Sequence, residues 1–139
     1  MSANPESVDL SENSLNAAAD AVRALEGVVA AADGWARERQ AAGETPLAIG
    51  AALASGPVMF GTVGDAARLE YTVIGEPVNL AAKLEKHNKA ERATALLPAA
   101  TLRLAESQGF VATSPWEIRR ARTVAGTAAP LDLAVLSVP

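Results

Sequence analysis

Residues 47–86 read LAIGAALASGPVMFGTVGDAARLEYTVIGEPVNLAAKLEK, and the order of turns, strand and helix in this stretch decides the fold. Residues 68–74 combine β-branched and aromatic side chains, which predicts a strand. Gly75 ends that strand, and Pro77 stands in the first turn of a following helix, where proline is tolerated. Ahead of them, residues 47–53 predict a short buried strand. Residues 58–64 predict either a turn of helix or an irregular strand.

A long amphipathic helix is predicted upstream of this stretch. The spacing of Asp9 and Glu12 is that of a capping box and predicts a start near there, and Gly43 is placed to end the helix. Apolar residues recur at steps of three and four, which predicts one buried stripe: Leu15, Ala18, Val22, Leu25, Val29, Ala32 and Trp35.

Downstream, the helix that follows Gly75 is expected to turn Val78, Ala81, Ala82 and Leu84 inward. Residues 93–97 predict a strand, 98–107 a short helix, 110–124 an extended or hairpin segment, and 131–136 a final strand. Strands alternating with helices indicate an α/β or α+β domain. We expect residues 1–13 to be a disordered or added lead-in and residues 14–139 to form one domain.

Composition excludes several classes of protein. The chain has 139 residues, which suits one domain, and a net charge of −4, which argues against a nucleic-acid-binding surface. It has no cysteine and one histidine, so it offers no disulfide framework and too few soft ligands for a zinc site. No apolar run reaches the length of a membrane span, so this segment is expected to make no membrane contact and to be cytoplasmic, either by itself or as the cytoplasmic part of a larger or membrane-anchored protein.

Four blocks at 50–58, 61–64, 68–75 and 78–85 resemble the signature of class III adenylate and guanylate cyclases in order and spacing. The resemblance continues weakly through 124–136, which is similar to the closing hairpin of that family. It implies a partial ferredoxin-like sandwich, with this chain as the C-terminal portion of the catalytic domain. It also implies a homodimer, because the active sites of the family lie between two subunits.

The resemblance assigns catalysis to Asn79 and Lys83, which lie one helical turn apart and share a face. In the family these positions hold asparagine and arginine, which stabilise the transition state. An asparagine amide can orient a ribose oxygen, and a lysine can meet a phosphate, although as a point charge rather than a planar fork. Without the resemblance, a solvated surface lysine would be the simpler interpretation of Lys83.

The same resemblance assigns recognition of the purine base to Thr72, with Val73, Ile74 and Gly75 as the wall of the base pocket. A threonine hydroxyl can accept a hydrogen bond from the adenine amino group, which favours ATP. The alternative is that these residues are only strand core and turn. We expect Asn79 and Lys83 to project together toward a cleft beside Thr72.

The family holds Mg2+ or Mn2+ on two aspartates, on strands that by resemblance precede the long helix. We find no counterpart of these aspartates in this chain and assign no metal ligand. Asp20 lies on the predicted helix, and Asp65 reads as an Asx-type turn residue.

One further position departs from the family. Ala125 stands where the family commonly places a lysine that reaches the triphosphate. Arg119, Arg120 and Arg122 could compensate, but an exposed basic strand is the preferred interpretation. His87 is expected to be a surface histidine.

The predicted function is adenylate cyclase activity in intracellular signalling, converting ATP to cyclic AMP and pyrophosphate. The chain itself is expected to be inactive for lack of the metal-binding aspartates. Two alternatives stay open: a catalytically inactive, cyclase-like dimerisation or regulatory module, and a guanylate cyclase.

Overall fold

The computed structural model describes residues 15–137, and this part of the chain forms three helices and six strands. In chain order they are α1 (Ala17–Ala41), β1 (Ala51–Ala52), β2 (Met59–Asp65), β3 (Arg68–Ile74), α2 (Glu76–Glu91), β4 (Ala95–Pro98), α3 (Ala99–Ser107), β5 (Glu117–Arg122) and β6 (Leu131–Leu136). The predicted lead-in and the capping box at Asp9 and Glu12 lie outside the described residues. Within residues 15–137 no helix is long and apolar enough to cross a membrane.

The main sheet has four strands in the order β1-β4-β6-β5. β1 runs parallel to β4, whereas β6 is antiparallel to both β4 and β5. β4 and β6 are therefore the central strands, and their near-continuous apolar sequences reflect burial on both faces.

Helices cover both faces of this sheet. Alternate residues of β4 and β6 point to opposite faces, so Leu97 and Leu136 join the core under α1 and α3, and Leu96 and Val135 join the core under α2. The architecture is a mixed α/β sandwich, which confirms the predicted fold class.

The amphipathic stripe of α1 is confirmed along its first turns, where Val22, Leu25 and Val29 are buried. It is wrong at its ends, because Leu15 is 71% exposed and Trp35 is 43% exposed. α1 ends at Ala41, and two residues later Gly43 has a φ of +76°, as expected of a glycine that terminates a helix.

The prediction of a buried strand at 47–53 is largely wrong. Only Ala51–Ala52 pairs, with Ala95 and Leu96 of β4, while Leu47 and Ile49 are 53% and 37% exposed. The apolar run was a correct sign of strand propensity. However, residues 47–50 pair with no other strand among the described residues.

β2 and β3 form a separate two-stranded hairpin, which settles the open interpretation of residues 58–64 in favour of a strand. Asp65 Oδ1 accepts hydrogen bonds from the amides of Ala67 and Arg68 at 2.9 and 3.1 Å, which confirms the predicted Asx-type turn. Gly64 is required beside this turn, because its φ is +137° and a Cβ there would collide with the Arg68 carbonyl oxygen.

α2 buries a different face from the one predicted. Leu84 is fully buried as expected, but Val78 is 40% exposed and Ala82 is also exposed. Asn88 and Glu91 are buried instead. Leu80 also packs against this core while partly buried, so the helix meets the sheet from its second turn onward and most of its first turn is exposed.

Candidate active site on helix α2

Asn79 and Lys83 line one cleft of about 790 Å³, which we call the α2 cleft. Its walls are the first turns of α2, the loop at 55–57 after β1, and the loop at 126–128 before β6. Leu80 and Leu84 hold the helix against the core, and the adjacent Asn79 and Lys83 reach the cleft from beside that buried face. The structure thus brings together the two residues predicted to be catalytic.

Lys83 is held against the loop opposite. Its Nζ donates a 2.7 Å hydrogen bond to the carbonyl oxygen of Gly126. Gly126 has a φ of +87°, and a Cβ at this position would lie 3.1 Å from Lys83 Cε. A glycine at 126 therefore lets the lysine chain lie close against the backbone of the loop.

A second depression continues along α2 beyond this contact. It has a volume of about 510 Å³, and we call it the lysine groove. It is lined by Lys83, Lys86, His87, Ala90, Ala125 and Gly126, so it shares Lys83 and Gly126 with the α2 cleft. The loop that carries Ala125 is closed by hydrogen bonds from the amide and hydroxyl of Thr127 to the Val124 carbonyl oxygen.

Thr72 does not line the α2 cleft. It lies half-buried on β3 opposite Gly61 of β2, and because glycine has no side chain the surface beside Thr72 stays open. The result is a groove of about 180 Å³ lined by residues 59–63, Thr72 and Ile74, which we call the hairpin groove. The expectation of one cleft beside Thr72 is therefore wrong, because Thr72 lines the hairpin groove whereas Asn79 and Lys83 line the α2 cleft.

The residues next to Thr72 are not part of the core. Val73 is 45% exposed and Ile74 is 57% exposed, so the alternative of strand core is wrong for both. Gly75 lies at the junction of β3 and α2, where a Cβ would stand 3.0 Å from the Pro57 carbonyl oxygen. This close approach joins the hairpin to the loop that forms one wall of the α2 cleft.

The expectation that His87 is a surface histidine is wrong, because its side chain is only 12% exposed. Its Nε2 lies 3.3 Å from Oε2 of the buried Glu91. Arg122 Nε contacts Glu91 Oε1 at 3.0 Å, and Arg119 donates to the Glu91 carbonyl oxygen at 2.5 Å. Arg119 and Arg122 are thus engaged at the end of α2, where cations also suit the helix dipole.

Arg119 also meets Glu117 on its own strand, with Nη2 3.2 Å from the carboxylate. The hydrogen bond from Arg119, and then its charge, hold the pKa of the Glu117 carboxyl below its ordinary value. The same hydrogen bond raises the pKa of Arg119. The arginine with two carboxylate partners is therefore a structural cation and does not compensate for Ala125.

Three functional or structural side chains were not found from the sequence. Glu26, Asn88 and Glu91 are polar residues within helices, and their partners lie far along the chain: Glu26 binds residues 113–116, and Asn88 Nδ2 donates to the Ala51 carbonyl oxygen at 2.9 Å. The sequence did contain a signal for these residues: each is polar but stands at a helix position that the apolar periodicity places on the buried face.

Among residues 15–137 no group of three His, Asp or Glu side chains is placed to hold a metal ion. The resemblance implies two carboxylates for Mg2+ or Mn2+ and assigns neither of them to a residue of this chain.

No protein-family model matches the chain. By structure, it superimposes on the guanylyl cyclase Cya2 with a TM-score of 0.59 and 20% identity, over 88% of this chain and 59% of that one. The chain has the fold of a class III cyclase catalytic domain. The fold that the four sequence blocks implied is thus confirmed.

Two sequence relatives of this chain come from mycobacteria. The uncharacterized protein Rv1319c of Mycobacterium tuberculosis is 36% identical over 86 residues, which are 62% of this chain and 16% of the relative. The uncharacterized protein Mb1354c of Mycobacterium bovis is 39% identical over 85 residues, which are 61% of this chain and 14% of the relative. The matched part is therefore about a sixth of the length of these relatives.

Proposed function

We propose that this chain supplies one half of a nucleotidyl cyclase active site that converts ATP to cyclic AMP and pyrophosphate. The observation that carries the proposal is the joint placement of Asn79 and Lys83 in the α2 cleft of a cyclase fold. In this proposal Asn79 orients the ribose. Lys83 leaves the Gly126 carbonyl oxygen to neutralise charge that develops on the phosphate.

The base is assigned to the hairpin groove. Its apolar walls suit the faces of a purine, and the Thr72 hydroxyl can accept a hydrogen bond from an adenine amino group. A hydroxyl can equally donate to the oxygen of guanine, so guanylate cyclase activity is the alternative that the experiment below addresses. One nucleotide that uses both recesses extends across the junction at Gly75 in this proposal.

A homodimer belongs to the same proposal and is supported by the hairpin. Its apolar side chains face outward, with Leu69 66% and Tyr71 71% exposed, and neither of its strands pairs with another strand among the described residues. A lone two-stranded hairpin is marginally stable in water, and an exposed apolar surface favours association. A second copy of the chain that covers the hairpin would both stabilise its two strands and bury its apolar surface.

A cytoplasmic location fits the lack of cysteine.

The inactive-module alternative has its own observations. Lys83 is bound to a backbone carbonyl rather than extended into the cleft, and Ala125 brings no charge to the loop opposite. A module of this kind would keep the fold and the dimer surface without binding nucleotide.

Nucleotide binding tests the proposal directly. NMR titration detects weak binding, and we expect ATP to perturb amides of the α2 cleft and the hairpin groove. Replacing Asn79 with alanine removes one hydrogen bond of about 1 kcal/mol, so ATP should bind about fivefold more weakly. Gln40→Ala, which removes an exposed amide from α1, is the matched control and should leave binding unchanged.

The outcomes separate the alternatives. Tighter binding of GTP than of ATP would assign guanylate cyclase chemistry, and Thr72→Ala should then alter that preference. No binding of either nucleotide would favour the inactive module. An Asn79→Ala variant that binds as well as the unchanged chain would refute the site. The purified 139-residue chain is expected to make no cyclic AMP from manganese-ATP.

A further inference from the structure

The α2 cleft carries a carboxylate that the proposed catalytic pair leaves unused. Glu76, the first residue of α2, lines the cleft together with Asn79 and Lys83. Side chains three and seven positions apart lie on one side of a helix, so the three residues share a face of α2. Glu76 is exposed and lines neither the hairpin groove nor the lysine groove, so its carboxylate belongs to this cleft.

Most other polar side chains of the cleft already have partners. The hydroxyls of Ser55 and Thr127 each lie 2.8 Å from an oxygen of a residue that does not line the cleft. Lys83 donates to the carbonyl oxygen of the opposite loop. Within the described part of the chain, by contrast, no hydrogen bond or ion pair engages the carboxylate of Glu76 or the side-chain amide of Asn79. These two groups are therefore free to bind a ligand.

The two charges of the cleft lie at opposite ends. Glu76 and Lys83 are the charged residues among its described lining. Seven residues of α-helix separate them, which corresponds to about 10 Å along the axis. Each end meets its own loop, because a Cβ at Gly56 would lie 2.9 Å from Pro77 Cγ and a Cβ at Gly126 would lie 3.1 Å from Lys83 Cε. The cleft thus orients a bound molecule, with anionic groups toward Lys83 and hydrogen-bond donors toward Glu76.

We propose that Glu76 determines the specificity of the α2 cleft for a ribose, because its carboxylate accepts a hydrogen bond from the 2′-hydroxyl. The inference rests on the proposed function, which places the sugar of a nucleotide at Asn79. An ionised carboxylate accepts hydrogen bonds and donates none, so it suits a hydroxyl and repels a phosphate. Cyclisation joins the 3′-oxygen to the phosphate, which leaves the 2′-hydroxyl for recognition.

NMR titration of the whole chain with ATP and with 2′-deoxy-ATP tests this role. A hydrogen bond to a charged group is strong, and water weakens it in an open cleft, so we expect ATP to bind about tenfold more tightly than 2′-deoxy-ATP. Glu76→Ala should abolish this preference by weakening the binding of ATP alone. Glu76→Gln keeps one acceptor oxygen and should retain part of the preference.

The affinity for 2′-deoxy-ATP separates a ribose contact from a structural role. A glutamate in the first turn also stabilises its helix through the dipole, and loss of that effect would weaken the binding of both nucleotides together. If Glu76 contacts the 2′-hydroxyl, 2′-deoxy-ATP should bind Glu76→Ala as tightly as the unchanged chain. It should bind slightly more tightly at low salt, because a negative charge near the phosphates is gone.

Glu85→Ala is the matched control. Glu85 is an exposed glutamate of the same helix, and it lines a neighbouring depression but not the α2 cleft. This variant should leave the ratio of the two affinities unchanged. Equal affinities of the unchanged chain for ATP and 2′-deoxy-ATP, a ratio that survives Glu76→Ala, or an equal fall of the ratio in Glu85→Ala would overturn the proposal.

Asn79→Ala distinguishes failure of this inference from failure of the proposed function. If Asn79→Ala weakens ATP binding while Glu76→Ala leaves the preference for ATP intact, the cyclase proposal stands and the role of Glu76 falls. If the preference depends on Glu76 while ATP binding ignores Asn79, the ribose contact stands and the cyclase proposal falls. Failure of both nucleotides to bind the unchanged chain would overturn both.

Discussion

Removing the Glu26 carboxylate should destabilise the fold by several times the effect of an ordinary surface substitution. Glu26 is 7% exposed and binds the segment that leads into β5. Oε2 accepts from the Ser114 amide and from Trp116 Nε1, both at 3.0 Å, and Oε1 accepts from the Thr113 hydroxyl at 3.0 Å. Glu26→Ala leaves all three donors without their acceptor.

The magnitude follows from these three bonds. A hydrogen bond to a charged group contributes about 1.5–3 kcal/mol, but the bonds share one carboxylate and water can enter the space left by the side chain. We therefore expect a loss of about 3 kcal/mol for Glu26→Ala. For a domain of this size that corresponds to a fall in melting temperature of roughly 10 °C. Glu26→Gln keeps one acceptor oxygen and should lose roughly half as much.

Urea denaturation followed by tryptophan fluorescence measures this loss, and a Trp35→Phe background leaves Trp116 as the reporter. Glu38→Ala is the matched control, since Glu38 is an exposed glutamate of the same helix and should change stability by no more than about 0.5 kcal/mol. A loss below about 1 kcal/mol for Glu26→Ala would refute the reasoning. It would mean that water satisfies residues 113–116 as well as the carboxylate does.

Three further predictions concern glycines and one ion pair. Gly64→Ala should destabilise the chain by about 1–3 kcal/mol in urea denaturation, because an alanine with this positive φ is strained and its Cβ would collide with the Arg68 carbonyl oxygen. An unchanged denaturation midpoint would contradict the hairpin geometry. Gly27→Ala, where nothing lies within 4 Å of the added Cβ, should instead stabilise α1 by about 0.5–1 kcal/mol, and a lower midpoint would count against it. NMR titration should find the pKa of the Glu117 carboxyl below its usual value; Arg119→Gln should raise this pKa, whereas the control Arg103→Gln should leave it unchanged. The ion pair contributes stability above the ordinary carboxyl pKa, and this contribution is lost as the pH falls through the lowered pKa of Glu117. Equal Glu117 pKa values in all three chains would refute the pairing.

The sequence predicted those parts of the fold that local pattern determines. The bounds of β3 and β6 are confirmed at both ends, and the helix after Gly75 begins where Pro77 placed it. The fold was also recoverable, because four blocks of glycines, turns and strand residues resemble the cyclase signature in order and spacing.

Non-local contacts determined what the sequence did not reveal. His87 reads as a surface residue until Glu91 and the arginines of β5 are placed beside it. Leu47 reads as a buried strand residue, but burial depends on a neighbour that the pattern itself does not specify. The pairing of Asn79 with Lys83 was predictable from helical spacing alone, whereas the separation of Thr72 from them depends on how far the hairpin stands from α2.

The hydrogen bond from Lys83 to the Gly126 carbonyl oxygen couples the loop before β6 to the binding of any ligand in the α2 cleft. An anion that attracts the ammonium group competes with the carbonyl oxygen for the same protons, so capture of the anion and release of the loop become a single exchange. By reciprocity, anything that pulls the loop away frees the lysine and raises affinity for the anion. Anion binding at α2 and displacement of the loop would then favour each other.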